Sequence, residues 1–210
     1  MNEVATHELK PKLRSSVAAT VDRLQQGVLG RGGPVPQSEA RRILATLRQH
    51  SSTPIDKDPL SLERSLSILA FPLATFEYGK GDLPSPSERA AHLALSFFAV
   101  HIQSARKPVH LEEQSFATAC GMLVARSDSE SLKPRFDAMV LASDPTARVI
   151  HMRSLIALLR GQELGFDYGG LAADLRSLER PDRRNRVLMR WGRDFARAAR
   201  PLSLIHISEP

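Results

Sequence analysis

The sequence predicts an all-α protein, a helical bundle of about eight to nine helices in two loosely separated halves. Three observations predict it. Apolar residues recur at the three-and-four spacing of one helix face through most of the chain. Ser, Asp and Pro stand where those periods begin, and Gly stands where several end. No two neighbouring segments show the alternating pattern that would let strands pair. The halves are expected to be an N-terminal helical half over 1–107 and a C-terminal bundle with a basic groove over 108–201.

Leu13, Val17, Val21 and Leu24 set the first stripe, which ends at Gly27 before the Gly- and Pro-rich GRGGPVP. Ser38 is placed to cap a second helix, EARRILATLRQH, whose core side is Ile43, Leu44 and Leu47, with Arg41 and Arg48 on a shared face. Leu62, Leu66 and Leu69 mark a short third helix between Pro59 and Pro72. The segment 71–86 contains YGKGDLPSP and reads as a loop. Ser85, Pro86 and Glu88 then form a capping box, opening a helix to about Ser104 whose interior, HLALSFFAV, is apolar enough to be central.

Beyond Pro108, a helix around Phe116 to Ala125 leads to a second capping box at Ser127 and Glu130. The helix that follows carries Phe136, Met139 and Val140, with Pro134 in or near its first turn. Asp144 and Pro145 open the next, and Gly161 closes it. Its apolar residues, from Val149, Ile150 and Met152 to Leu155, Ile156, Leu158 and Leu159, cover most of the circumference and predict burial. Asp167 caps a helix bearing Leu171, Leu175 and Leu178, and Pro181 introduces the last.

That last helix carries the strongest functional signal. Arg183, Arg186, Arg190, Arg193 and Arg197 recur at steps of three and four, which places them within an arc of roughly 80°. Val187, Trp191, Phe195 and Ala198 form the adjoining apolar stripe. Arginine suits phosphate oxygens because its planar fork stays charged and binds them in bidentate fashion. The alternative is a solvated helix face covering the edge of its own core. Trp191 and Phe195 belong to the apolar stripe and are expected in the core, which favours tracking of a nucleic-acid backbone over reading of bases.

Composition points the same way. The chain has 29 Lys and Arg against 23 Asp and Glu, a formal charge of +6, and an isoelectric point near 10.0, so a polyanion is the expected partner. Residues 121–200 carry 15 basic and 10 acidic side chains, placing the excess in the second half. Arg153 and Arg160 share a face of the otherwise apolar helix after Pro145, and Lys133 and Arg135 flank Pro134. With the C-terminal stripe they are candidates for a continuous phosphate track.

Catalytic signatures are missing. GRGG at 30–33 lacks the Lys and Ser or Thr of a phosphate-cradling loop, and YGKGD at 78–82 reads as a turn. The histidines at 7, 50, 92, 101, 110 and 151 show no metal-ligand spacing. Glu112 with Glu113, and Asp128 with Glu130, are better read as charges near helix N-termini than as paired catalytic acids. No enzyme activity, cofactor or metal is expected. The single cysteine, Cys120, excludes a disulfide within the chain and fits a small core residue in a reducing compartment. The N-terminus lacks an apolar run and no segment approaches the ~18 apolar residues of a membrane span, so the expectation is a soluble, cytoplasmic protein without a membrane partner. The last nine residues, LSLIHISEP, match no helical period and resemble translated adapter sequence; 202–210 is expected to be a non-native tail.

The ordered motifs KPRFDAMVLASD, HMRSLIALLRGQELGFDYGGLAADLRSL and RVLMRWGRDFARAAR resemble the CasB family, the small subunit of the type I-E CRISPR surveillance complex Cascade. The resemblance extends over about 86–200 and more loosely over 38–85, where ARRILATLRQH is similar to that family's basic N-terminal helix. It implies an all-helical, non-catalytic subunit, present as two copies in a head-to-tail pair. That subunit contacts the other Cascade subunits and lines a basic groove for DNA strands of the R-loop. Carried over by position, the implied contacts are Arg41, Arg42, Arg48, Arg135, Arg153, Arg190, Arg193 and Arg197, beside the spacing-derived Arg160, Arg183 and Arg186. The family often has a second basic residue after Arg153, where this chain has Ser154. A helical transcription regulator and a protein-only scaffold are the competing classes. A regulator needs a base-reading recognition helix after a tight turn; a scaffold would bury these arginines against acidic neighbours.

Overall fold

A computed structural model describes residues 12–49, 55–127 and 129–200. Nine α-helices lie among them: α1 (Leu13–Val28), α2 (Gln37–Gln49), α3 (Pro59–Ser67), α4 (Pro86–His101), α5 (Phe116–Ala125), α6 (Leu132–Leu141), α7 (Pro145–Gly161), α8 (Tyr168–Leu178) and α9 (Pro181–Ala198). Short 3-10 turns occupy Ile55–Lys57 and Thr75–Glu77. The described residues contain no strand, only a single parallel bridge between His110 and Phe166. The expected tail at 202–210, and the histidines at 7 and 50, lie outside the described residues.

α4 is the central helix. Alanines at 90, 91, 94 and 99 let neighbours approach closely, while Leu95, Phe97 and Phe98 fill the space between them. It packs on α2, α3, α7 and α8, and α1 packs on α8. One contiguous core runs from Leu13 to Phe195. Two glycines set its tightest crossings. A Cβ on Gly169 would stand 2.6 Å from the Arg14 carbonyl oxygen of α1. One on Gly121 would stand 2.5 Å from the Phe195 carbonyl oxygen of α9. Phe98, Phe116, Phe166, Tyr168 and Trp191 meet edge-on or tilted between these helices, with Phe116 and Trp191 ring centres 5.7 Å apart.

The caps read from the sequence form at Ser85, Asp144 and Asp167. Ser85 accepts from the Glu88 amide at 3.1 Å while the Glu88 carboxylate accepts from the Ser85 amide. Asp144 accepts from the amides of Thr146 and Ala147, and Asp167 from that of Gly170. Four expectations are corrected. Helix α2 starts at Gln37, with the Pro36 carbonyl accepting from Ala40, so Ser38 lies inside the first turn and caps nothing. Helix α3 ends at Ser67, so Leu69 lies beyond it: the Leu69 amide donates back to the Leu66 carbonyl, and the Ala70 amide donates to the Thr20 hydroxyl of α1 at 2.8 Å. Helix α4 stops at His101, since Ser104 adopts a left-handed φ of 61° and turns the chain back. No second capping box forms: α6 begins at Leu132, behind Ser131, which makes no side-chain cap.

The apolar circumference of α7 also misled. Met152, Leu155, Ile156 and Leu159 are buried, but Ile150 is 62% exposed, so the helix lies on the core instead of inside it. Cys120, Trp191 and Phe195 are buried as expected.

Candidate nucleic-acid interface

The amphipathic pattern of α9 orients its cations. Val187, Trp191 and Phe195 are buried against the core, which leaves Arg183, Arg186, Arg190, Arg193 and Arg197 on the exposed side. They are not equivalent. Among the described residues no carboxylate pairs with Arg186, Arg193 or Arg197. Arg183 lies 3.7 Å from the exposed Asp182 carboxylate. Arg190 is held by Asp174 of α8, whose other oxygen accepts from the Trp191 indole at 2.7 Å. Burial pushes the Asp174 carboxyl above its usual range, against the pull of the hydrogen bonds from Arg190 and Trp191. A cleft of about 350 Å³ surrounds this pair, lined by Glu113, Asp167, Asp174 and Asp194 facing Arg14 and Arg190. Arg190 therefore looks onto carboxylates, and the sequence reading missed Asp174 because it lies one helix away.

On α2, Arg41 and Arg42 are exposed. Arg42 pairs with Glu39 one turn earlier at 2.6 Å, an exposed contact that solvent screens and that exchanges easily. Arg48 instead turns inward and donates to the Ala99 carbonyl of α4 at 3.2 Å. Arg160 of α7 also caps this end, donating to Val100 O at 3.3 Å and to Gln103 Oε1 at 3.1 Å. These two arginines satisfy last-turn carbonyls of the central helix and oppose its dipole. Arg135 is exposed on α6, and Arg153 is half-buried on α7. Arg148, passed over in the sequence, is buried and donates to the Met139 and Ala142 carbonyls, closing the α6–α7 turn.

Arg106 and Lys107 belong to no helical period in the sequence. They lie in the turn after α4 and, with Gln103, Arg160 and Glu163, line a cavity of about 230 Å³. Two adjacent cations just past a helix end were the available signal. Behind them, His101 is fully buried, its Nδ1 2.8 Å from the Tyr168 hydroxyl. Burial first, and the charge of Arg160 second, pull the His101 imidazole down to about 4, against the Leu164 carbonyl. His110 is also pulled down by burial and accepts at Nδ1 from the Tyr168 amide. No group of three or more His, Cys, Asp or Glu among the described residues is arranged to hold a metal ion. No helix among them is long and apolar enough to cross a membrane.

These features define an all-helical protein that displays clusters of arginine on a well-packed core. The family model described as CRISPR-associated protein Cse2 matches residues 43–195. Among solved structures, the chain is similar to CasB from Thermobifida fusca at 27% identity, with 87% of this chain and 97% of that one covered and a TM-score of 0.66. It shares its fold with a Cse2-family CRISPR-associated protein from Thermus thermophilus, at 22% identity, 87% and 98% coverage and a TM-score of 0.59. Comparison with curated protein sequences returned no significant match. The chain belongs to the Cse2 (CasB) family of CRISPR-associated proteins.

Proposed function

We propose that the chain is a non-catalytic small subunit of a type I-E Cascade complex that binds nucleic-acid backbone and so stabilises the R-loop. The carrying observation is the exposed side of α9, where Arg186, Arg193 and Arg197 are partnered by no carboxylate among the described residues. Three guanidiniums left in water beside a buried stripe make no ion pair within the described residues, and their mutual repulsion is relieved by an arriving polyanion. Arg41 and Arg42 on α2, Arg135 on α6 and Arg183 on α9 add exposed cations elsewhere. The aromatic rings of Trp191 and Phe195 are buried, which supports backbone contact without base stacking.

The mechanism is thermodynamic. Exchange of duplex DNA for guide–target heteroduplex is nearly balanced, so contacts holding the opened strands decide how long the R-loop lasts. Release of condensed counterions from the bound phosphates supplies much of that bias. Within Cascade, other subunits and a second copy of this chain complete the surface.

The test is R-loop lifetime in a reconstituted complex on a matched target. A subunit carrying R186E, R193E and R197E should assemble normally and shorten the lifetime at least several-fold. Normal assembly with an unchanged lifetime would remove α9 from the strand path.

A further inference from the structure

The carboxyl end of α4 is where cations from three segments meet. Arg48 from α2 and Arg160 from α7 donate to the Ala99 and Val100 carbonyls, cancelling partial negative charge that would otherwise repel an anion there. Beyond them the chain turns back through Ser104 and brings Arg106 and Lys107 beside the end of α7, over the cavity of about 230 Å³.

This cavity already engages one carboxylate. Glu163, at a left-handed φ of 51°, accepts from Lys107 Nζ at 2.8 Å. Lys107, and at longer range Arg106, hold its carboxyl below the usual range. The pair is exposed on both sides, 72% at Lys107 and 52% at Glu163, so it is weak enough to exchange. A phosphate carries the same charge sign on more oxygens and suits a guanidinium fork better than a single lysine contact does.

We propose that Arg106, Lys107 and Arg160 form a seat for one phosphate group of a nucleic-acid strand, in which the Glu163 carboxylate stands in until the strand arrives. The inference rests on the backbone-binding reading above and adds a specific site to it. It assigns Arg106 and Lys107 to binding, and it makes Glu163 an internal competitor whose removal tightens binding. An internal phosphodiester and a terminal phosphate offer the same chemistry, so the experiment separates them.

The experiment measures binding of the full chain to a single-stranded oligothymidylate, with and without a 5′-phosphate, across a salt series. R106A/K107A should weaken binding about tenfold, as expected for loss of charge-assisted hydrogen bonds to one phosphate, and should flatten the log-log salt slope by about 0.7. E163Q should tighten binding by about threefold, whereas E63Q, the same change on the exposed side of α3, should leave it unaltered. If these effects appear only with the 5′-phosphorylated strand, the seat takes a terminal phosphate; if in both strands, an internal one. An unchanged slope in R106A/K107A, while R186E/R193E/R197E lowers it, would overturn the seat and leave the backbone reading standing. If the wild type binds neither strand, the backbone reading fails, and inorganic phosphate becomes the probe. Saturable amide shifts at Arg106 and Lys107, lost in R106A/K107A, would then keep the seat as a phosphate site, and their absence would overturn it.

Discussion

Asp174 on α8 holds Arg190 on α9, and the same carboxylate takes the indole N–H of the adjacent, fully buried Trp191. One acid therefore fixes the helix bearing the arginine stripe and withdraws one of the five arginines from it. Asp174→Ala leaves the indole N–H without an acceptor, at a cost of about 1–3 kcal/mol. Asp174→Asn keeps a neutral acceptor and should cost less. Urea denaturation midpoints check the order, and equal losses in the two variants would contradict it.

The buried histidines predict acid sensitivity. His101 is neutral in the fold, its imidazole pulled down to about 4, while in the unfolded chain it titrates near ~6.5. Its contribution is therefore complete above about pH 6.5 and is lost as pH falls from there towards 4, because the unfolded state takes the proton first. That difference amounts to roughly 3 kcal/mol, and His110 acts in the same direction. Melting temperature should fall steadily over this range while the His101 ring resonance stays in its neutral position until the pH comes close to 4. A His101 resonance titrating near 6.5 in the folded protein would contradict the burial argument.

The α5–α9 crossing predicts a strong size dependence at Gly121. A methyl there would stand 2.5 Å from the Phe195 carbonyl oxygen and 2.8 Å from Ala198 Cβ, and neither can rotate away. Gly121→Ala should destabilise by about 1–3 kcal/mol through overpacking, despite the better helix propensity of alanine. Gly192→Ala, on the open side of α9 with nothing within 4 Å, should stabilise slightly. Thermal melts of the two variants moving in the same direction would contradict this account.

What the sequence made legible follows from the range of the interactions involved. The cap at Ser85 and those at Asp144 and Asp167 depend on partners two or three residues away, and all three form. The stripe Val187, Trp191 and Phe195 is a local period, and it is buried. Where a distant partner decides the outcome, local pattern misleads. Leu69 falls outside α3, and the amide after it, that of Ala70, donates to Thr20 of α1, 50 positions away. Ile150 is exposed because α7 meets the core on one side only. The candidate arginines divide by the same rule: spacing finds cations on a shared face but not the Ala99 carbonyl that takes Arg48, the Val100 carbonyl that takes Arg160, or the Asp174 carboxylate that takes Arg190. The family resemblance was carried by the order of short motifs and agrees with the Cse2 match over 43–195.

The most direct test of backbone binding is the salt dependence of single-strand affinity, comparing the wild type with R186E/R193E/R197E. These positions are exposed and adjoin the buried stripe without entering it, so helicity and melting temperature should be preserved. Arg190 is left alone, since a glutamate there would face Asp174 and Asp194. The wild type should bind strands of differing sequence alike, with log affinity falling against log salt by about 0.7 per phosphate neutralised. The triple variant should lose most of its affinity, with a slope flatter by roughly 2. A folded variant with the same affinity and slope as the wild type would contradict the account and leave the arginines of α9 as a solvated helix face.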